Sequence, residues 1–165
     1  MKEPKDVVGE LQQDSLFTGW SKQHPHFLSH FFCQVDNTVQ QKADWEIGYY
    51  DEDTDKIEVF VAHSSGFEKK PEDQVFKRPD AKVEKLDMGI VTVPLSDAVV
   101  TFKEELPKLF PSEEIGDGFL ILQTFEGKTV WNFSFITKSV KFVNIKIDAG
   151  SGDVASHETV TLVQK

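Results

Sequence analysis

The sequence predicts an α+β fold made of two pseudo-duplicated units, each a helix followed by an antiparallel meander. Three observations predict it. Residues 119–154 read as three consecutive strands joined by tight turns. Trp45, Ile47 and Tyr49 stand 86 positions ahead of Trp131, Phe133 and Phe135, and Ile57, Val59 and Val61 stand the same distance ahead of Val143, Ile145 and Ile147. A segment with helical spacing of apolar residues precedes each meander. The expected organisation is a first unit over residues 1–65, a linker with one short strand over 66–94, and a second helix with four strands over 95–165. Whether the two sheets join is left open.

In chain order, Val8, Leu11 and Ser15 or Leu16 share a face of a helix expected over residues 3–18, which Gly9 weakens. Phe27, Phe31, Cys33 and Val35 fall at even spacing and favour a strand over 26–36, with a helix as the alternative for so short an apolar run. Trp45, Ile47 and Tyr49 mark a second strand, residues 51–55 a turn, and Ile57, Val59 and Val61 the inward side of a third. Residues 64–80 are polar, with two prolines, and predict a linker or a long surface loop, which Val75 and Phe76 would dock onto the body. A short strand is expected over Met88 to Val93. Leu95, Ala98, Val99, Phe102 and Leu106 follow the 3.6-residue period, and Pro107 is expected to end that helix.

In the second meander Trp131, Phe133 and Phe135 alternate with Asn132, Ser134 and Ile136. Glu126-Gly127 reads as the hairpin turn before them. Val143, Ile145 and Ile147 point one way, with Asn144, Lys146 and Asp148 the other. Gly150-Ser151-Gly152-Asp153 closes the next turn, and a last strand runs from Val154 to Val163. One polar side per strand implies an antiparallel sheet with one face on the core and one wet or weakly covered.

Composition bounds the function. The chain of 165 residues carries 28 acidic and 18 basic residues, a formal charge of −10, which argues against a nucleic-acid partner. No run of residues is long and apolar enough for a membrane span. The single cysteine, Cys33, excludes an internal disulfide and a multi-cysteine metal site. No cofactor is implied, and the oligomeric state is not written in the sequence.

Several constellations could carry chemistry. His24, His26 and His30 lie within seven residues, and His26 and His30 would share a strand face. A zinc site there needs further ligands such as His63 or Asp44, so strand-entrance histidines are the preferred interpretation and no metal is assigned. Asp51, Asp53 and Asp55 imitate the opening of a calcium loop, but Lys56 stands where glycine makes the bend and Ala62 where a bidentate glutamate closes the site. A solvated hairpin turn fits better, with enough negative charge to attract a basic partner. Glu104-Glu105 and Glu113-Glu114 read as a solvated helix face and a loop. Cys33 reads as a buried, inert thiol. Trp20, Tyr50 and Phe60 are expected on faces opposite the core. No catalytic set converges.

Leu95 to Leu106, the strand pair around Val130 to Thr137, and Val143 to Val154 together resemble a PepSY-like module of the cystatin-like group. Asp148, Ala149, Ser151 and Gly152 stand at its Asp-Ala-x-Ser/Thr-Gly motif. The resemblance covers about residues 95–155 and, less closely, 5–63, where Ala62-His63-Ser64-Ser65-Gly66 replaces that motif. It implies a non-catalytic module that binds or restrains a protein or peptide partner. It also implies an extracytoplasmic setting if a leader has been removed, although none precedes the chain as given. Tyr50, Asp51, Asp53, Asp55 and Phe60 are the expected binding residues, or else a sheet edge that takes an added strand. The alternative is a small-ligand or enzymatic cone using His26, His30 or His63.

Overall fold

A computed structural model describes residues 1–71 and 82–162. Its elements are α1 (Pro4–Gln13), α2 (Ser15–Ser21), β1 (His26–Val35), β2 (Glu46–Asp51), β3 (Lys56–His63), β4 (Gly66–Lys69), α3 (Leu95–Leu109), β5 (Ile115–Phe125), β6 (Lys128–Thr137), β7 (Lys141–Asp148) and β8 (Val154–Thr161). Their α+β content and antiparallel pairing agree with the sequence. The expected two units do not. All eight strands form one sheet in the order β4-β3-β2-β1-β5-β6-β7-β8. The seam is β1 against β5, paired from His30 with Gln123 to Val35 with Gly118. Each was expected to open a separate meander. Their apolar alternates, Phe31 and Cys33 on β1 with Leu120 and Leu122 on β5, instead share one core.

That core lies under the three helices. Val7, Val8 and Leu11 of α1, Phe17 and Trp20 of α2, and Leu95, Ala98 and Phe102 of α3 pack on the same sheet face. Phe102 stacks on Phe133 and Phe135 with ring centroids 4.6 and 5.1 Å apart. Two indoles pin the segments that lead into the helices. Trp45 Nε1 donates to Lys2 O at 3.1 Å, just ahead of α1, and Trp131 Nε1 donates to Val93 O at 3.0 Å, just ahead of α3. Glu3 ties the starts of α1 and α3 together by accepting from Leu95 N at 2.7 Å and Ser96 N at 3.2 Å. A carboxylate there satisfies donors that the first turn of a helix leaves without partners.

Local departures have local causes. Asp14 breaks the expected first helix in two: its backbone is extended, and its side chain caps α2 through Leu16 N at 2.9 Å. Within the expected loop, Gly66–Lys69 pairs with β3 from Phe60 opposite Lys69 to His63 opposite Gly66. Val75 and Phe76 lie outside the described residues. Met88 to Val93 is no strand: Ile90 N and Val91 N close turns onto Asp87 O and Met88 O, and Thr92 N and Val93 N both reach Ala149 O. Pro107 sits inside the last turn of α3, which runs on to Leu109. On β3 the expected faces are exchanged. Phe60 lies opposite Ile47 in the core, whereas Val59 lies opposite Gly48 on the other face.

Candidate functional site

The corner made by β6, β7 and β8 combines an open strand edge with an open apolar row. Burial of Phe133, Phe135, Val143 and Ile145 fixes which way these strands face, because side chains alternate along a strand. The alternates therefore point away from the helices. Ile136 pairs with Phe142, and Phe142 with Val160, so three apolar side chains cross three strands in one row. Ile136 is 49% exposed and Val160 51%. Val140, in the β6–β7 turn, and Leu162 extend the row, joined by Leu162 N to Val140 O at 3.1 Å. Phe119 continues it inward, 5.9 Å from Phe142 and 5.7 Å from Phe32 between ring centroids.

The next row is polar and satisfied within the sheet. Asn144 Nδ2 donates to Ser134 Oγ at 2.8 Å and Phe133 O at 3.2 Å, and it also meets Asn132 Oδ1. Lys146 Nζ donates to Asn144 Oδ1 at 2.8 Å and lies 5.2 Å from the centre of the Phe125 ring. Buried amides held this way rigidify the floor. Glu113 steadies the turn beside it, accepting from Ser139 Oγ at 2.5 Å and Lys141 Nζ at 2.9 Å. Those two bonds, the serine's first, hold its carboxyl below the usual range.

β8 closes the sheet on this side. It pairs with β7 from Lys141 opposite Thr161 to Ile147 opposite Val154, and no described strand lies on its other flank. Its eight residues carry one charged group, Glu158, and no proline. Charge, proline and short length are the usual guards of a sheet edge, and of these β8 has only the single charge of Glu158. The opposite edge has such guards: β4 is four residues long and carries Glu68 and Lys69.

Of the residues expected to bind, all but Asp53 have their side chains engaged within the fold. Asp51 is 2% exposed and accepts from His24 Nδ1 at 2.7 Å, Asp53 N at 3.0 Å and Thr54 N at 3.4 Å. Burial pushes its carboxyl up, but the bonds from Asp53, His24 and Thr54 together bring it below the usual range. The Tyr50 ring lies 5.1 Å from Phe27, and its hydroxyl donates to Asp55 Oδ1 at 2.5 Å. The hydrogen bond to Asp55 raises the phenol. Asp53 is exposed in the same turn. Phe60 and Trp20 lie in the core rather than on an open face.

The histidines are not brought together. His26 joins the aromatic cluster of Phe17, Trp20 and Tyr49, with Nδ1 2.8 Å from His24 O. His30 lies on the outer face with Nδ1 2.7 Å from Ser29 Oγ, and burial lowers it to about 4. His63 bridges Asp44 at 2.8 Å and Glu68 at 2.7 Å, and the bonds to Glu68 and Asp44 raise it. Among the described residues no three His, Cys, Asp or Glu side chains are grouped to hold a metal ion. Cys33 is fully buried, and burial pushes its thiol up to about 11.

Sequence reasoning missed Ile136, Phe142 and Val160. The signal was present: each is a large apolar residue two positions from a polar one of the same parity, Ser134, Asn144 and Glu158. Compared with known protein families, curated proteins and solved structures, the chain matches none.

Proposed function

We propose that this chain is a non-catalytic peptide-binding module that captures an extended segment of a partner protein as a ninth strand on β8. The observation that carries this is the sparsely guarded β8 edge beside the apolar row Ile136–Phe142–Val160, whose two ends are exposed. Main-chain hydrogen bonds to the edge would supply affinity, and side-chain pockets on alternate positions would supply selectivity. The row calls for an apolar residue next to Val160. Glu158, two positions earlier on the same face, calls for a basic residue beside it. The net charge of −10 steers a basic segment toward the module. The likeness of residues 95–155 to PepSY-like modules, which bind or restrain partners, agrees with this function.

The test is panning of a displayed random-peptide library on the purified chain. Enriched sequences should alternate apolar residues and carry a lysine or arginine. Binding should perturb the amides of Val154 to Thr161 and disappear in Val160→Lys. Enrichment without a pattern, or perturbation confined to other strands, would refute it.

A further inference from the structure

We propose that the groove between α1 and the β1–β2 end of the sheet is a second, separate binding site, which takes a small amphiphilic carboxylate. The groove is open to solvent along one side and has a volume of about 500 Å³, within the size range of small-molecule sites. Leu28 and Met88 give it apolar walls, and Tyr49 lines it from β2. The segment carrying Met88 is pinned by Leu86 N to Leu28 O at 2.8 Å, and Leu86 is itself in the core. The site therefore has a fixed wall on each side.

Three features choose the ligand. The Tyr49 hydroxyl is buried without a hydrogen-bond partner, in a residue only 4% exposed. A buried hydroxyl left this way costs free energy that an entering acceptor recovers. Lys5 on α1 and Lys85 on the facing segment flank the same groove, both exposed. Neither has an ion-pair partner among the described residues. The carboxylate on that wall, Asp87, is engaged with Gly89 N at 2.9 Å. Finally, Gly9 presents bare backbone to the groove, and a Cβ built there meets nothing within 4 Å. An apolar body between Leu28 and Met88, with a carboxylate head that accepts from the Tyr49 hydroxyl through one oxygen and faces the two lysines through the other, satisfies all three.

The test uses octanoate and the uncharged octanol as probes, followed through amide chemical shifts of the whole chain. Octanoate should move Gly9, Leu28, Tyr49 and Leu86 saturably and leave β8 unmoved. Octanol, and octanoate with the Lys5→Gln/Lys85→Gln variant, should bind roughly tenfold more weakly, the worth of one charge-assisted contact. Gly9→Ala should bind as the parent does, and Gly9→Leu, which fills the groove, should not bind. Tyr49→Phe keeps the shape of the site and should weaken octanoate severalfold. Absence of saturable shifts at these amides, equal affinity for octanol, or undiminished binding by Gly9→Leu and Tyr49→Phe would overturn the proposal. A peptide-binding failure at β8 would leave these outcomes unchanged, so the two sites are tested independently.

Discussion

The imidazole of His30 lies directly over Gly48, so closely that a Cβ at Gly48 would stand 2.2 Å from His30 Cε1. The two residues are paired across β1 and β2 beside the irregularity between Leu28 and His30. Glycine at this point is a space requirement, since any side chain would have to displace the ring. Gly48→Ala should therefore destabilise the fold by about 1–3 kcal/mol, the usual range for overpacking, read as a lower urea midpoint. His30→Ala in the same background should recover part of that loss.

The same ring makes stability depend on pH. His30 has a folded pKa of about 4 against the ordinary 6.5, because burial disfavours its charged form and outweighs the pull of Glu46. Between those values the unfolded chain binds a proton that the native state does not. Its contribution is complete above pH 6.5 and is lost as the pH falls toward 4, on the order of 3 kcal/mol in all. Urea midpoints at pH 7 and pH 5 should differ less in His30→Gln than in the parent. His63 works in the opposite sense: its pKa is raised by Glu68 and Asp44, so its ion pairs hold below that raised value and are lost as the pH climbs through it.

Glu3 is expected to matter far from its place in the chain. Its two oxygens cap α3 through Leu95 and Ser96. Glu3→Ala should cost about 1–2 kcal/mol, as loss of a charged cap does, and Glu3→Gln less. Hydrogen exchange at Leu95 to Ala98 should accelerate before exchange at β6.

Tyr49→Phe should raise the thermal midpoint while it weakens octanoate. Removing a buried hydroxyl with no partner relieves a cost of about 1 kcal/mol. A lowered midpoint would show that the hydroxyl is satisfied in solution.

Val160→Lys should leave the midpoint nearly unchanged, because Val160 is half exposed at the margin of the sheet. A lysine on a free edge also opposes self-association. The variant should stay monomeric at concentrations where the parent begins to associate, measured by light scattering.

The second meander was legible because its periodicity is clean: Trp131, Phe133 and Phe135 against Val143, Ile145 and Ile147 are all core. The pairing of β1 with β5 was not, since alternation fixes a strand's faces and says nothing of its neighbour. β3 was misread because Val59 and Phe60 are adjacent and both buried, one on each side of the sheet. β4 was hidden because its four residues, Gly66–Lys69, are edge-like in composition. The corner site was missed for a related reason: single apolar residues among polar ones look incidental until pairing aligns Ile136, Phe142 and Val160.

The central place of β1 has a consequence for the order of synthesis. Val35 leaves the ribosome more than eighty residues before its neighbour Gly118, so for several seconds at usual translation rates the nascent β4-β3-β2-β1 half exposes its most apolar border. A nascent-chain holdase, or a pause that delays release of the first half, should therefore raise the soluble yield of this protein more than would be expected for its size.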